Sequence, residues 1–248
     1  MLVLSLDTTS RAGSCALARD GHVMCVQAGD PLREQGGQLP GALATLLDHE
    51  SISLRHIDGY GVAIGPGSFT GLRVGIATMQ GLAMATGKPL IGVSALDALV
   101  VLAGARKVPT EFVIPSETPE QAASRVPGNA RVVAWIEAWR GDVFSATYEG
   151  GRALDEPVVA HPDDLLKHMR EHAALFIGDG AARNLSLIRA VLGDNAHLAD
   201  PIAPLLAGAV ARVASEALNS GQHQPPHAIR PLYVRRSDAG LTTNASPV

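Results

Sequence analysis

The sequence predicts a two-lobed α/β chain in which one order of elements, βββαβα, occurs twice. Two observations carry this. Short apolar runs joined by a tight Gly turn occur in both halves, at Asp20-Gly21 and at Arg140-Gly141, and helical and strand-like runs alternate after each. Between the halves, residues 105–131 hold Pro109, Pro115, Pro119, Pro127 and Gly128 with no clear period, which marks an irregular linker or insertion. The expected boundaries are a first lobe at 1–104, the linker at 105–131, a second lobe at 132–236 and a flexible tail at 237–248.

In the first half, residues 2–6 and 14–18 read as strands, and the Asp20-Gly21 turn leads into a third at 22–28. Residues 37–49 carry Leu39, Leu43, Leu46 and Leu47 at helical spacing. A strand at 60–64 precedes a helix at 72–86, which stops near Gly87 and Pro89; a strand at 90–93 and a helix at 95–103 follow. In the second half, strands at 132–137 and 142–148 flank the Arg140-Gly141 turn, and a third lies near Val158-Val159. A helix at 162–171 starts with Pro162 and Asp163-Asp164, both favourable at a helix N-terminus. Then come a strand at 175–177 and helices at 181–191 and 203–218.

With 248 residues the chain can bury a substantial core. The formal net charge of −4, with no Lys/Arg cluster, argues against a chain that grips a phosphate backbone unaided. The apolar N-terminus is broken at Asp7, which is not the pattern of a signal peptide, and no apolar run approaches the roughly 20 residues of a membrane helix. Cys15 and Cys25 fit buried thiols on neighbouring strands of a reduced, cytoplasmic protein better than a disulfide framework or a metal site.

The most informative run is Gly65-Pro66-Gly67-Ser68-Phe69-Thr70-Gly71-Leu72-Arg73-Val74-Gly75. Three glycines and a proline between a strand and a helix fix the shape of a loop, in which Ser68 or Thr70 can cap the helix amides. It can form an anion nest, yet no Lys-Ser/Thr pair follows, so it is not a P-loop, and no GxGxxG is present. Ser68 and Thr70 lack a nearby base and the run lacks a nucleophile elbow, which argues against a peptidase.

This run resembles the signature of the TsaB (YeaZ) family. The likeness continues at Leu4-Ser5-Leu6-Asp7-Thr8-Thr9, Gly92-Val93-Ser94-Ala95-Leu96, Ile136-Glu137-Ala138, Gly141-Asp142-Val143-Phe144, Gly178-Asp179-Gly180 and Pro231-Leu232-Tyr233-Val234-Arg235. The resemblance implies the actin/Hsp70-like (ASKHA, ribonuclease-H-like) fold. It further implies a non-catalytic, scaffolding subunit of the machinery that builds threonylcarbamoyladenosine beside the anticodon of tRNAs reading A-starting codons. The implied partners are a catalytic TsaD-type subunit and a TsaE-type ATPase, with either a monomer or a homodimer when alone and tRNA met only through the complex. ATP and metal would belong to the partners, so no cofactor is expected here. The alternative is an independent ATP-binding kinase or hydrolase of the same fold.

From Gly59 to Ala105 only Arg73, Lys88 and Asp97 are charged, three residues in 47, where the chain's 18% average would give about eight. A helix apolar nearly all round must be covered on both sides, by its own fold or by another chain. The family packs its two N-terminal helices on the matching pair of the catalytic relative or of a second copy. The expected interface is therefore Leu39, Leu43, Arg73, Ile76, Met79, Gln80 and Ala83, with Gly75, Gly81 and Ala85 allowing close approach and Met79 and Met84 filling gaps.

Asp7-Thr8-Thr9-Ser10 stands where nucleotide-binding members of the fold hold a first phosphate turn, and Gly178-Asp179-Gly180 is expected at the second; both read as vestigial corners. His168 and His172 are four apart, the spacing of a helical metal pair, but on an expected surface helix without a third ligand. Two departures from the family pattern are Arg33-Glu34-Gln35, where many members have Arg-x-His, and Glu137-Ala138-Trp139, where they have Asp-Ala-Arg.

Overall fold

The computed structural model describes residues 1–30, 35–104 and 131–234. The expected linker, apart from Arg131, and the expected tail at 237–248 lie outside the described residues.

Strands β1 (Leu2–Asp7), β2 (Ser14–Arg19), β3 (His22–Ala28), β4 (Gly59–Gly65) and β5 (Leu90–Ser94) form one sheet in the order β3-β2-β1-β4-β5. Strands β6 (Arg131–Glu137), β7 (Val143–Glu149), β8 (Arg152–Ala153), β10 (Ala174–Ile177) and β11 (Ala196–Leu198) form the second in the order β11-β10-β6-β7-β8, with β9 (Val158–Ala160) also on β7. Read as β9-β7-β6-β10-β11, the second sheet repeats the first. In each, the first three strands pair antiparallel and the last two join in parallel. The duplicated βββαβα plan, and with it the actin/Hsp70-like fold class, is the observed one.

The parallel steps need crossover helices. In the first repeat these are α1 (Gln35–His49) and α2 (Phe69–Thr86), and α2 stops where Gly87 takes a left-handed φ of 67°. β1 is buried along its whole length because both faces of the sheet are covered. Leu2, Leu4 and Leu6 meet α1 and α2, whereas Val3 joins a second core lying between the two sheets.

That second core rests on an exchange. Helix α3 (Ala95–Leu102) follows the first sheet but packs on β6 and β7, with the Tyr148 hydroxyl donating to Asp97 Oδ1 at 2.9 Å. After α4 (Pro162–Lys167), α5 (Asp179–Arg183) and α6 (Leu185–Leu192), helix α7 (Ala207–Asn219) crosses back and covers β1, β2, β4 and β5. Ser5 Oγ donates to the Ala207 carbonyl at 2.7 Å and Ala207 N–H donates to Ser14 Oγ at 3.1 Å. The chain then straps the first lobe: Gln80 Nε2 donates to the Pro226 and Ile229 carbonyls, Ile229 is buried beside Gly92, and Leu232 N–H donates to the Ile64 carbonyl at 2.7 Å. The expected second lobe at 132–236 is corrected accordingly, because residues 207–234 pack on the first sheet.

Smaller differences have local causes. The helix expected at 162–171 ends at Lys167. The one expected at 181–191 is two helices broken at Asn184, whose Nδ2 donates to the Gly180 carbonyl at 2.8 Å. β11 is three residues long and was not expected. Cys15 is buried on β2 and Cys25 half-buried on β3, and burial pushes both thiols up to about 11, so both stay protonated. No helix among the described residues is long and apolar enough to cross a membrane.

Candidate functional site: the signature loop and the outer helix face

β4 ends at Gly65, the Gly65-Pro66 bond is cis, and Ser68 caps α2 by accepting from Gly71 N–H at 3.2 Å. The same Ser68 donates its own N–H to the Thr9 carbonyl at 2.8 Å. The loop is therefore fastened to the β1–β2 turn. Gly67 lies against the Thr9 backbone, and a Cβ at Gly75 would overlap the Thr8 hydroxyl. Thr8 Oγ1 is buried there with no hydrogen-bond partner. Gly75→Leu should cost about 1–3 kcal/mol through this crowding. Urea denaturation reads the loss directly, and an unchanged midpoint would remove the close-approach argument.

Asp7 ends β1 almost fully buried and accepts from Thr9 N–H at 2.8 Å and from Thr9 Oγ1 at 2.6 Å. Burial raises its carboxyl to about 6 against the pull of those two bonds, and the charge of Asp179 adds to the rise. Burial also raises Asp179, which accepts from Glu137 N–H at 2.9 Å. Gly178-Asp179-Gly180, however, is not the second phosphate turn. It follows β10, so its counterpart in the repeat is Gly65-Pro66-Gly67 after β4. The counterpart of the β1–β2 turn is the β6–β7 hairpin, where Arg140 takes a left-handed φ of 67°. Spacing along the sequence could not reveal this, because the two halves differ in loop length.

The expected interface divides in two. Leu39, Leu43, Ile76, Met79 and Ala83 are buried in the chain's own core under the first sheet, so they are not available to a partner. Gln80 holds the C-terminal strap. Of the expected set only Arg73 is exposed. What α2 turns outward is Thr70, Arg73, Ala77, Gly81, Met84 and Ala85, beside Gly41, Ala44 and Thr45 on α1. On α2 this face has one charge, Arg73, with small side chains along its middle and Met84 at 67% exposure, and α1 adds the exposed Asp48 near its end. At its N-terminal end Phe69, Arg73 and Tyr233 cluster. Tyr233 was not among the expected site residues, although it lies in one of the motifs that carry the resemblance.

The sequence pattern of the family described as TsaD, tRNA N6-adenosine threonylcarbamoyltransferase, matches residues 33–116, a stretch that contains both α1 and α2. The Escherichia coli tRNA threonylcarbamoyladenosine biosynthesis protein TsaB is 35% identical over 149 residues, covering 60% of this chain and 55% of that protein. An uncharacterised Mycobacterium leprae protein is 30% identical over 260 residues, covering all of this chain and 58% of its own length. The chain thus spans less than two thirds of these two curated relatives. The crystal structure of YeaZ from Pseudomonas aeruginosa superposes with a TM-score of 0.66 at 25% identity, over 94% of this chain and 99% of that one. The chain belongs to the TsaB (YeaZ) family.

Of the departing positions in this TsaB-family chain, Glu137 and Trp139 take defined places. Arg33 and Glu34 lie outside the described residues, and Gln35 begins α1. Glu137 pairs with Arg183 at 2.7 Å, and Trp139 is 76% exposed at the β6–β7 hairpin. His168 caps the C-terminus of α4 and His172 lies beyond it, so the pair does not share one helix. Both line a shallow cavity of about 150 Å³ with Arg131 and Asp155. Among the described residues no group of three or more His, Cys, Asp or Glu is placed to hold a metal ion.

Proposed function

We propose that this chain is a non-catalytic subunit in the synthesis of tRNA threonylcarbamoyladenosine, docking on a TsaD-type catalytic subunit through the outer face of α1 and α2. The observation that carries this is the coincidence of two facts. The nearly uncharged outward stripe lies on α1 and α2, and these helices fall within the stretch that matches the TsaD family. Helices of like sequence with small outward residues can pair face to face, and the same face would serve a homodimer when the catalytic subunit is absent. A TsaE-type ATPase would be the third member, with tRNA reached only through the assembly. The reading of the chain as a pseudo-enzyme draws on the β1–β2 turn, which is filled by Thr8 against Gly75 and by Thr9 against Gly67.

Gly81 has open space where a Cβ would stand, so Gly81→Glu tests the face without disturbing the core. The variant should melt like the parent yet lose co-purification with the catalytic subunit and lose tRNA modification in the reconstituted mixture. An unchanged affinity would place docking elsewhere. Titration of the isolated chain with ATP addresses the rival reading: saturable binding with turnover would make the protein an enzyme in its own right.

A further inference from the structure

The single charged side chain on the outer face of α2 is held in a defined pose. The Arg73 guanidinium carbon lies 3.8 Å from the centroid of the Phe69 ring, and Arg73 Nε donates to the Tyr233 hydroxyl at 3.3 Å. The Phe69 and Tyr233 rings are 5.7 Å apart at an angle of 33°, and they are 48% and 53% exposed. Tyr233 is fixed in its turn, because the neighbouring Leu232 N–H is bonded to the Ile64 carbonyl at the end of β4. Among the described residues no carboxylate pairs with Arg73.

A surface arginine ordinarily keeps its rotamer freedom and loses it only on binding. Here stacking on Phe69 and the Nε bond to Tyr233 have removed that freedom beforehand. What remains for a partner is the pair of terminal nitrogens, a planar fork whose geometry matches a carboxylate. The neighbouring outward residues Ala77, Gly81 and Ala85 are small and uncharged, so they let a helix approach closely without offering a competing polar group.

We infer that Arg73, preset by Phe69 and Tyr233, is the polar anchor of the docking face and receives an Asp or Glu side chain of the catalytic subunit. This rests on the docking reading above. A protein carboxylate suits the site better than a nucleic-acid phosphate. The chain carries a net charge of −4, and no second cation stands on the outer face of α2, whereas a phosphate backbone is held by several cations at once. Tyr233 belongs to the C-terminal strap, so the strap acts as a positioning element for recognition as well as a cover for the core.

The test is calorimetric titration of the full chain with its own catalytic subunit, with melting temperatures measured beside it. Arg73→Lys keeps the charge but not the fork and should weaken binding by about tenfold, while Arg73→Glu should weaken it by about a hundredfold or more. Tyr233→Phe, which removes only the hydroxyl that holds Nε, should weaken it by about three- to tenfold. Melting should be unchanged in all three. Changing one Asp or Glu on the partner's matching helices to Lys should restore binding to Arg73→Glu. Should Arg73→Lys and Arg73→Glu bind like the parent while Gly81→Glu still fails, the anchor is wrong and the docking face stands. Should Gly81→Glu bind normally too, the docking reading falls and the anchor with it. Intact subunit docking of Arg73→Glu, with weakened tRNA binding by the assembled complex, would make the anion a phosphate and overturn the assignment.

Discussion

Met79→Glu should unfold the isolated chain. The Met79 side chain is completely buried in the core of the first lobe, in the cluster that holds Leu4, Leu43, Tyr60 and Ile76. A carboxylate placed there has no cation to pair with. Leaving a charge unpaired in such a site costs about 3–5 kcal/mol, a large share of the 5–15 kcal/mol that a typical domain has in total. For a chain of this size that corresponds to a melting temperature lower by roughly 10 °C or more, or to no cooperative transition at all. Met84→Glu, five residues along on the exposed side of the same helix, is the control and should melt like the parent. Normal melting of Met79→Glu would mean that α2 is turned the other way.

The second large effect is a gain. In the folded chain the Asp7 carboxyl is raised from 3.8 to about 6, chiefly by burial. The sign follows from proton binding. Below the lower value both folded and unfolded chains hold the proton and nothing is lost. Between 3.8 and about 6 the unfolded chain releases it while the folded chain keeps it, so stability falls as pH rises through that window. Above it the full penalty stands, about 3 kcal/mol at the usual conversion. Asp7→Asn keeps an oxygen to accept from Thr9 but carries no charge. It should therefore stabilise the protein by about 1–3 kcal/mol at pH 7 and flatten the fall between pH 4 and 6. Urea midpoints across pH 4–7.5 measure both effects. An Asn variant that is less stable at pH 7 would show that the charged form is doing structural work, against the direction found here.

The sequence was most legible where backbone chemistry is local. Asp20-Gly21 and Arg140-Gly141 marked the hairpins, Gly87 ended α2, and the apolar runs between them could hardly be anything but strands and crossover helices. Facing direction was not legible for α2. A helix with Ala, Gly, Met, Leu and Ile on every side has no polar stripe to say which way it is turned, so Ile76, Met79 and Ala83 read as readily for an interface as for a core. The exchange of α3 and α7 was hidden for a related reason. Ala-Val runs such as 207–214 fit either sheet, and only contacts such as Ser5 with Ala207 decide which. β11 is too short to show a period, and the break at Asn184 depends on its bond to Gly180. At the candidate site, the glycines of the loop announced close approach, but what they approach, the Thr8-Thr9 turn, lies nearly 60 residues upstream.

The crossing of α3 and α7 makes each half of the sequence incomplete as a physical object. Residues 1–104 alone would bare the side of the sheet that α7 covers across β1, β2, β4 and β5, and residues 131–234 would lack the lid that α3 provides for β6 and β7. A cut in the stretch between them does not divide the protein into domains. It leaves two pieces clasped like interlocked hands, each holding part of the other's interior, and neither can be let go without exposing apolar surface to water.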